Sequence, residues 1–399
     1  MQECSEFAGG AMRGVRVIDL ARVLAGPYVS RQLADLGADV IKIEPPEGDQ
    51  VRQIAPRHDR GMSALYTLSN VGKRCVCVDL HKPAGIELVL ALIRISDLVV
   101  ENFRPGVVDR LGLGWSEIQR VNPRASLISL NGFGRDSSWS DRRAYAPIVH
   151  AVTGILHDQS DYSGQSVAQL NDAHADTTTA LHAAVAALAA LRVAEASGVG
   201  QWVEVPMFDA VLSTYSEAQA ALLKEPDDRV MNPIYDAGPH GAIATAGAVQ
   251  HIWHSVARSH PELRDPTTPG ADLATKGAQR HAALERWMAS QPSRDVLLEK
   301  LAEANIAAAP VMPIREALTG ALSVERDLLV EVDDRRGSTR SVVRSPARFS
   351  MSENRVRGPA PRRGEHNREV LTELLGYPPA RIRQLEEDGV LSESPVDNR

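Results

Sequence analysis

The amino-acid sequence predicts an α/β fold whose main sheet is parallel. Three observations carry that expectation. Short β-branched runs alternate with helical stretches through the first third of the chain, a pattern that implies parallel strands with helices on both faces. The helical stretches carry their own boundary signals, one closed by Gly37 and the next opened by Pro83. Apolar residues make up 43% and charged residues 24% of the 399 residues, the balance of a folded globular protein.

The elements follow in order. Residues 15–20, Val-Arg-Val-Ile-Asp-Leu, read as a strand. Residues 26–37 place Val29, Leu33 and Leu36 at helical spacing and stop at Gly37. Val40-Ile41-Lys42-Ile43-Glu44 is a second strand, ended by Pro45-Pro46. Residues 75–80 form a third strand, and a helix over 83–95 starts on a proline. Residues 97–100 and 127–130 are strands on either side of a short helix at 115–121. Residues 158–171 are polar and without periodicity. An alanine-rich helix then runs over 176–196 and ends at Gly198 and Gly200. A strand at 201–205 and a helix at 207–223 follow. From residue 225 proline, glycine and histidine become frequent, with one helix-rich block over 279–305. Residues 328–344 pattern as a β-hairpin turning at Asp334-Arg335-Arg336-Gly337, and two short helices close the chain. The expected organisation is a large domain over 1–224, a smaller α+β domain over 225–325, and a return segment over 326–399 that completes the large domain.

Forty-four basic against fifty-one acidic residues leave a net charge of −7, which argues against general nucleic-acid or anionic-membrane binding. Residues 1–13 carry Glu3 and Glu6 and no apolar run, so no signal peptide is expected there. Residues 180–194 contain His182 and Arg192 and are mostly alanine, short of the ~20 strongly apolar residues of a membrane span. Three cysteines cannot make a disulfide framework, and a cytoplasmic location is expected. Cys75 and Cys77 read as small apolar side chains on one strand face, not as a redox pair.

The familiar motifs are absent. The turn after the first strand, Ala21-Arg22-Val23-Leu24-Ala25-Gly26-Pro27, holds one glycine where a dinucleotide fingerprint needs three. Neither a P-loop nor a G-x-S-x-G elbow is present. His251 and His254 lack companion ligands, so no metal site is expected.

Several segments, taken in order and spacing, resemble the family III CoA-transferases, the formyl-CoA and carnitine CoA-transferase group. They are residues 14–20, Ala25-Gly26-Pro27, residues 33–44, Asn70-Val71-Gly72-Lys73-Arg74, residues 100–106 with Leu111-Gly112, and Gly364-Glu365-His366. The likeness spans about residues 13–220 and 303–391. It implies a Rossmann-like large domain binding coenzyme A, a smaller α+β domain, and an interlocked homodimer.

The resemblance also implies the chemistry. Its nucleophile is an aspartate at the start of an alanine-rich helix that ends in G-x-G-Q, which Asp176 and Gly198-Val199-Gly200-Gln201 match. A carboxylate in a first helical turn faces unpaired N–H groups and the positive dipole end, so the position suits an anion on physical grounds too. Asp172 is a rival, and an ordinary helix cap is the plain alternative. Residues implied at the coenzyme A site are Val23, Leu24, Arg74, Val78, Asn102, Phe103, Arg104, Arg143 and Tyr145. A glycine-rich loop of the small domain covers the reacting carbonyl in the family. Here no glycine run exists, and Ala237-Gly238-Pro239-His240-Gly241 is the nearest candidate, with Gly238, His240 and Gly241 as its substrate-facing residues.

Leu24 and Ala146 replace polar family residues, which suggests an acid larger and less polar than formate or oxalate. Acyl-CoA and a carboxylic acid are then substrates, with no permanently bound cofactor or metal and no nucleic-acid or membrane partner. An α-methylacyl-CoA racemase is an alternative, but its histidine would fall at Tyr145, five residues before His150. A non-catalytic acyl-CoA-binding protein is the other.

Overall fold

The structure, a computed structural model, describes residues 9–54, 57–59, 62–223, 232–334 and 337–393. It divides into two compact units, Met1–Ala218 with Asp327–Arg399, and Gln219–Arg326.

The first unit is built on six strands: β1 (Arg16–Asp19), β2 (Asp39–Glu44), β3 (Arg74–Cys77), β4 (Leu98–Glu101), β5 (Ser126–Asn131) and β6 (Trp202–Pro206). Their order is β3-β2-β1-β4-β5-β6, and every pairing is parallel. Because side chains alternate along a strand, neighbours go to opposite faces. Val17, Val40 and Val100 enter the core beneath the helices Ala25–Asp35 and His174–Ser197. Ile18, Ile41 and Val99 enter the other core, under Pro83–Ile93 and the C-terminal helices Asn367–Leu375 and Pro379–Glu387. The return segment also shields the edge strand β3. His366 Nδ1 accepts from Cys75 N–H at 3.1 Å and Asn367 Oδ1 from Cys77 N–H at 2.9 Å, so the edge does not offer its donors to another chain.

The long helix His174–Ser197 carries Asp176, His182, Arg192 and Glu195, yet by length and composition alone it is sufficient to cross a membrane, where the reading from sequence placed it short of that. Its buried positions are small: Ala180, Ala183, Ala187, Ala190 and Ala194 let it lie close to Ala25–Asp35. Gly198 ends it at φ 75°, a left-handed cap that a side chain would strain.

Four boundaries differ from the sequence expectation. The polar stretch after Gly154 contains a helix, Ile155–Ser163, whose buried Ile155 and Leu156 sit together at its start and give no period. Ala146–Val152 is a further short helix that its Pro147 admits in the first turn. The helix expected over 207–223 breaks at Tyr215 into Met207–Thr214 and Ser216–Leu223. Gln291-Pro292-Ser293 splits the 279–305 block, Pro292 ending one helix and Ser293 capping the next through Val296 N–H. The hairpin is present as Leu329–Asp333 against Thr339–Val343; Arg335 and Arg336 of its turn lie outside the described residues, as does Cys4.

The second unit has a three-stranded antiparallel sheet, β7 (Ile234–Asp236), β8 (Ala242–Thr245) and β9 (Ala308–Pro310), with β8 central. Tyr235, Ile243, Trp253, Leu284 and Leu297 fill its core beneath three helices.

Candidate active site

The strand order reverses between β1 and β4. The chain leaving β1 enters a helix on one face of the sheet, and the chain leaving β4 crosses to the other. Such a reversal leaves a crevice at the carboxyl ends of the two strands, because no crossover covers it. A cleft of about 390 Å³ opens there.

Its floor is drawn together by Asn102. The side-chain amide donates to Arg22 O at 2.7 Å and accepts from Arg22 N–H at 2.7 Å, joining the ends of β1 and β4 as a main-chain pair would. Gly26 permits that approach. A Cβ on it would lie 2.3 Å from Ala21 Cβ and 3.3 Å from Asn102 Cγ. Between them, Val23 sits at φ 70°, a costly region for a β-branched residue. Its N–H donates to both oxygens of Asp49, at 3.3 and 3.2 Å. Asp49 is ion-paired to Lys42 Nζ at 3.2 Å, and Lys42 also donates to Ala21 O at 2.9 Å. A second buried pair, Lys73 with Asp19 at 2.8 Å, anchors the same turn, since Asp19 also accepts from Ala21 N–H. The turn that lacks fingerprint glycines is therefore held by buried charge.

Asp176 stands in the first turn of His174–Ser197 and lines the cleft. Burial pushes its carboxyl up to about 6; Asp172 adds to the rise and a hydrogen bond from Ala25 N–H opposes it. Ala25 is itself the first residue of a helix, so the carboxylate meets two helix N-termini. An anion of this basicity is a better nucleophile than an ordinary carboxylate, and roughly nine-tenths of it is ionised at pH 7. The same burial carries a stability cost. The folded pKa lies above the unfolded one, so stability falls as pH rises from about 4 to about 6. Asp176→Asn is therefore expected to gain about 1–2 kcal/mol over the parent at pH 8 after discounting for solvent, and nothing at pH 4. Denaturant unfolding at the two pH values checks it.

Of the residues expected at the site, Val23, Asn102, Phe103, Arg104, Arg143, Tyr145 and Asp176 line this one cleft. Leu24 does not: it is buried behind the turn, and Ala146 is buried also. Neither side chain therefore makes the cleft more apolar, contrary to the expectation from sequence. Arg74 is engaged elsewhere, with Asp39 at 2.6 Å, Glu369 at 3.2 Å and Glu373 at 2.7 Å. Val78 is wholly buried and bridges to Leu391. Both sit near the far edge strand β3, two strands from the switch point, so neither lines the cleft. Gly238, His240 and Gly241 belong to the second unit. They form a tight turn with φ 58° and 78° at the glycines, and His240 Nε2 bonds Gln291 O at 2.8 Å.

Sequence reasoning missed Arg22, Gln50, Asn131, Arg142 and Met207 in the lining. Arg22 lies 5.0 Å over the Phe103 ring and Arg142 3.6 Å over Trp139, so their charges are carried on aromatic faces. Beneath the floor, Glu101 accepts from Phe103 N–H at 2.9 Å, and burial pushes its carboxyl up to about 7. The position just after a strand in the first turn was the available signal for Arg22. Among the lining residues four arginines face one carboxylate, which suits a polyanionic ligand whose reactive end meets Asp176. Among the described residues no cluster of three or more His, Cys, Asp or Glu could hold a metal.

The sequence model of CoA-transferase family III matches residues 12–367. The formyl-CoA:oxalate CoA-transferase of Streptomyces avermitilis is 33% identical over 414 aligned positions, covering 96% of this chain and 99% of that protein. The succinate–glutarate CoA-transferase of Agrobacterium fabrum is 31% identical, covering 91% and 95%. A solved CAIB/BAIF family protein from Brucella suis superposes with a TM-score of 0.78 at 27% identity, covering 92% of this chain and all of that one.

Proposed function

The chain belongs to CoA-transferase family III and is an enzyme of that kind, and from this premise we propose that it transfers coenzyme A from an acyl-CoA to a free acid through covalent intermediates on Asp176. The observation that carries the reading is the raised carboxyl of Asp176 at the end of a cationic cleft, held by the N–H of Ala25.

An ionised oxygen of Asp176 attacks the thioester carbonyl; the C–S bond breaks, leaving a mixed anhydride and the CoA thiolate. The thiolate attacks the aspartyl carbonyl and displaces the donor acid as its carboxylate, giving an aspartyl thioester. The acceptor carboxylate attacks that thioester and frees the thiolate again. The thiolate then attacks the acceptor's acyl carbonyl, which releases the new acyl-CoA and restores the Asp176 carboxylate. No proton is consumed over the cycle. Each addition places negative charge on a carbonyl oxygen, and N–H groups at the start of Ala25–Asp35 are suited to receive it.

Arg22, Arg104, Arg142 and Arg143 suit the phosphates of coenzyme A, and Phe103 offers the adenine a face. Asn102, Val23 and Tyr145 line the same cleft and are the walls we assign to the pantetheine arm. Met207 and Ala25 give the cleft that holds Asp176 some apolar lining, which suits an acid with an aliphatic portion. The relatives named above are a formyl-CoA:oxalate and a succinate–glutarate CoA-transferase, and a short dicarboxylic acid suits a lining with four arginines. A racemase would need a histidine where Tyr145 stands, which makes it the weaker reading.

Self-association also belongs to this proposal. Leu181, Val185 and Leu188 are 53%, 69% and 41% exposed on one side of His174–Ser197, an apolar row that a second copy would cover.

The test is covalent. Incubation with succinyl-CoA or oxalyl-CoA followed by hydroxylamine is expected to convert the Asp176 peptide to its hydroxamate, read by mass spectrometry. An unmodified peptide in an enzyme actively exchanging CoA would sink the proposal.

A further inference from the structure

The helix that carries Asp176 begins without a cap of its own. Its N-cap position is Ala173, whose side chain can accept nothing, and its first N–H groups are among the donors that an α-helix leaves unpaired. The N–H of Ala175, the residue before Asp176, donates instead to His150 Nε2 at 3.0 Å. His150 comes from a different helix, Ala146–Val152, whose N-cap Tyr145 lines the cleft. A main-chain N–H can only donate, so Nε2 is the lone-pair nitrogen and the hydrogen resides on Nδ1. His150 is 1% exposed, and its Nδ1 is buried with no partner among the described residues. Leaving a buried donor unpaired is costly, so the bond that the other nitrogen makes to Ala175 N–H is the interaction His150 contributes here.

We propose that His150 is a positioning residue for the reaction, a neutral imidazole that caps the nucleophile's helix from outside and thereby fixes Asp176 against Ala25 N–H. The inference rests on Asp176 being the nucleophile. It makes the site sensitive to the charge of a group that never touches substrate. Protonated His150 has no acceptor left at Nε2 and sets a cation against the positive end of the helix. Burial holds its pKa below the usual histidine range, the nearby His174 pushes it further down, and Asp172 opposes both. His174 lies 6.3 Å away ring to ring. The helices packed against Ala146–Val152 contribute His157 and Asp161, paired with each other at 3.1 Å, Asp158, bonded to Tyr215 OH, and Asp209. Asp176 itself follows the capped residue.

The experiment compares His150→Ala, His150→Gln and Asp176→Asn in steady-state exchange of CoA between succinyl-CoA and a free acid, over pH 5 to 8. His150→Ala is expected to lower kcat by about 10–100-fold with KM for acyl-CoA nearly unchanged, the scale of a small misplacement of a reacting group. His150→Gln, which restores a neutral acceptor, is expected to recover most of that loss. Its acid limb should follow one protonation, that of Asp176, where the parent follows two. Parental kcat in His150→Ala, or an unaltered acid limb in a folded His150→Gln, overturns the inference. If His150→Ala does not fold, the comparison of the parent with His150→Gln decides alone. Asp176→Asn separates the two levels. Activity surviving in it removes the nucleophile assignment, whereas its loss beside a fully active His150→Ala removes only the role of His150.

Discussion

Asp176→Asn is expected to abolish CoA transfer, lowering kcat by on the order of 10³–10⁶-fold, as removal of a covalent nucleophile does in other enzymes. Asparagine keeps the size of the side chain and can still accept from Ala25 N–H, so the cleft and the helix start survive. What disappears is the anionic oxygen that forms the anhydride. Binding of coenzyme A, which we assign to the arginines and Phe103, should be retained within a few-fold. That split sets a nucleophile apart from a helix cap. Loss of a cap costs about 1 kcal/mol of stability and would leave chemistry almost intact. In the parent the rate should fall as pH drops through about 6, because the protonated carboxyl cannot attack. Exchange of labelled CoA between succinyl-CoA and succinate, followed against pH in both proteins, checks each part. Turnover in Asp176→Asn at the parental rate would mean that the acyl group travels by another route.

Much of the fold could be read from the chain because its strands are dense in β-branched residues and separated by helices bounded by glycine or proline. Val17, Ile18, Val40 and Ile41 mark buried strands without ambiguity, and Gly198 marks the end of the long helix. The short helices escaped for physical reasons. Ile155–Ser163 buries only its first two residues, so it has no period to detect, and the break at Tyr215 is set by tertiary contacts rather than by a proline or glycine. Asn102 and Phe103, which the family resemblance singled out, follow directly from a strand end and line the cleft. Arg74 misled because a cation in a recognisable segment looks like a phosphate ligand. Its partners, Asp39 and two glutamates of the C-terminal helix, come from segments 35 to nearly 300 residues away. Leu24 misled for the complementary reason: a turn flanking a site has an inner side, and one sequence does not say which residues take it. The missing glycines at residues 21–27 pointed away from a dinucleotide fingerprint, and the switch-point crevice is present without them. Buried Lys42, Asp49, Lys73 and Asp19 do the shaping that glycines do elsewhere.

That substitution of charge for glycine gives the second large effect. Lys42 is fully buried; burial works against its charge, but Asp49, Asp19 and Glu44 outweigh it and hold its pKa above the usual lysine value. Lys42→Met removes the cation and leaves Asp49 buried with only N–H donors, those of Val23 and Val51. A buried charge deprived of its partner costs about 3–5 kcal/mol, because desolvation is no longer offset by attraction. Methionine fills most of the volume, so a large loss reports charge rather than a cavity. The Val23 turn should loosen with it, since its left-handed backbone persists only while Asp49 holds the N–H. The KM for acyl-CoA is then expected to rise about 10-fold, one lost positioning contact, with kcat less affected. Lys42→Met/Asp49→Asn discriminates further. It removes both charges yet keeps an oxygen for Val23 N–H, so most of the lost stability should return, giving a coupling of about 2–3 kcal/mol in the double-mutant cycle. Denaturant unfolding of the four proteins measures it. Additive losses would show that the ion pair does not hold the turn, and that the conformation of Val23 comes instead from the packing of residues 21–27 against Asn102.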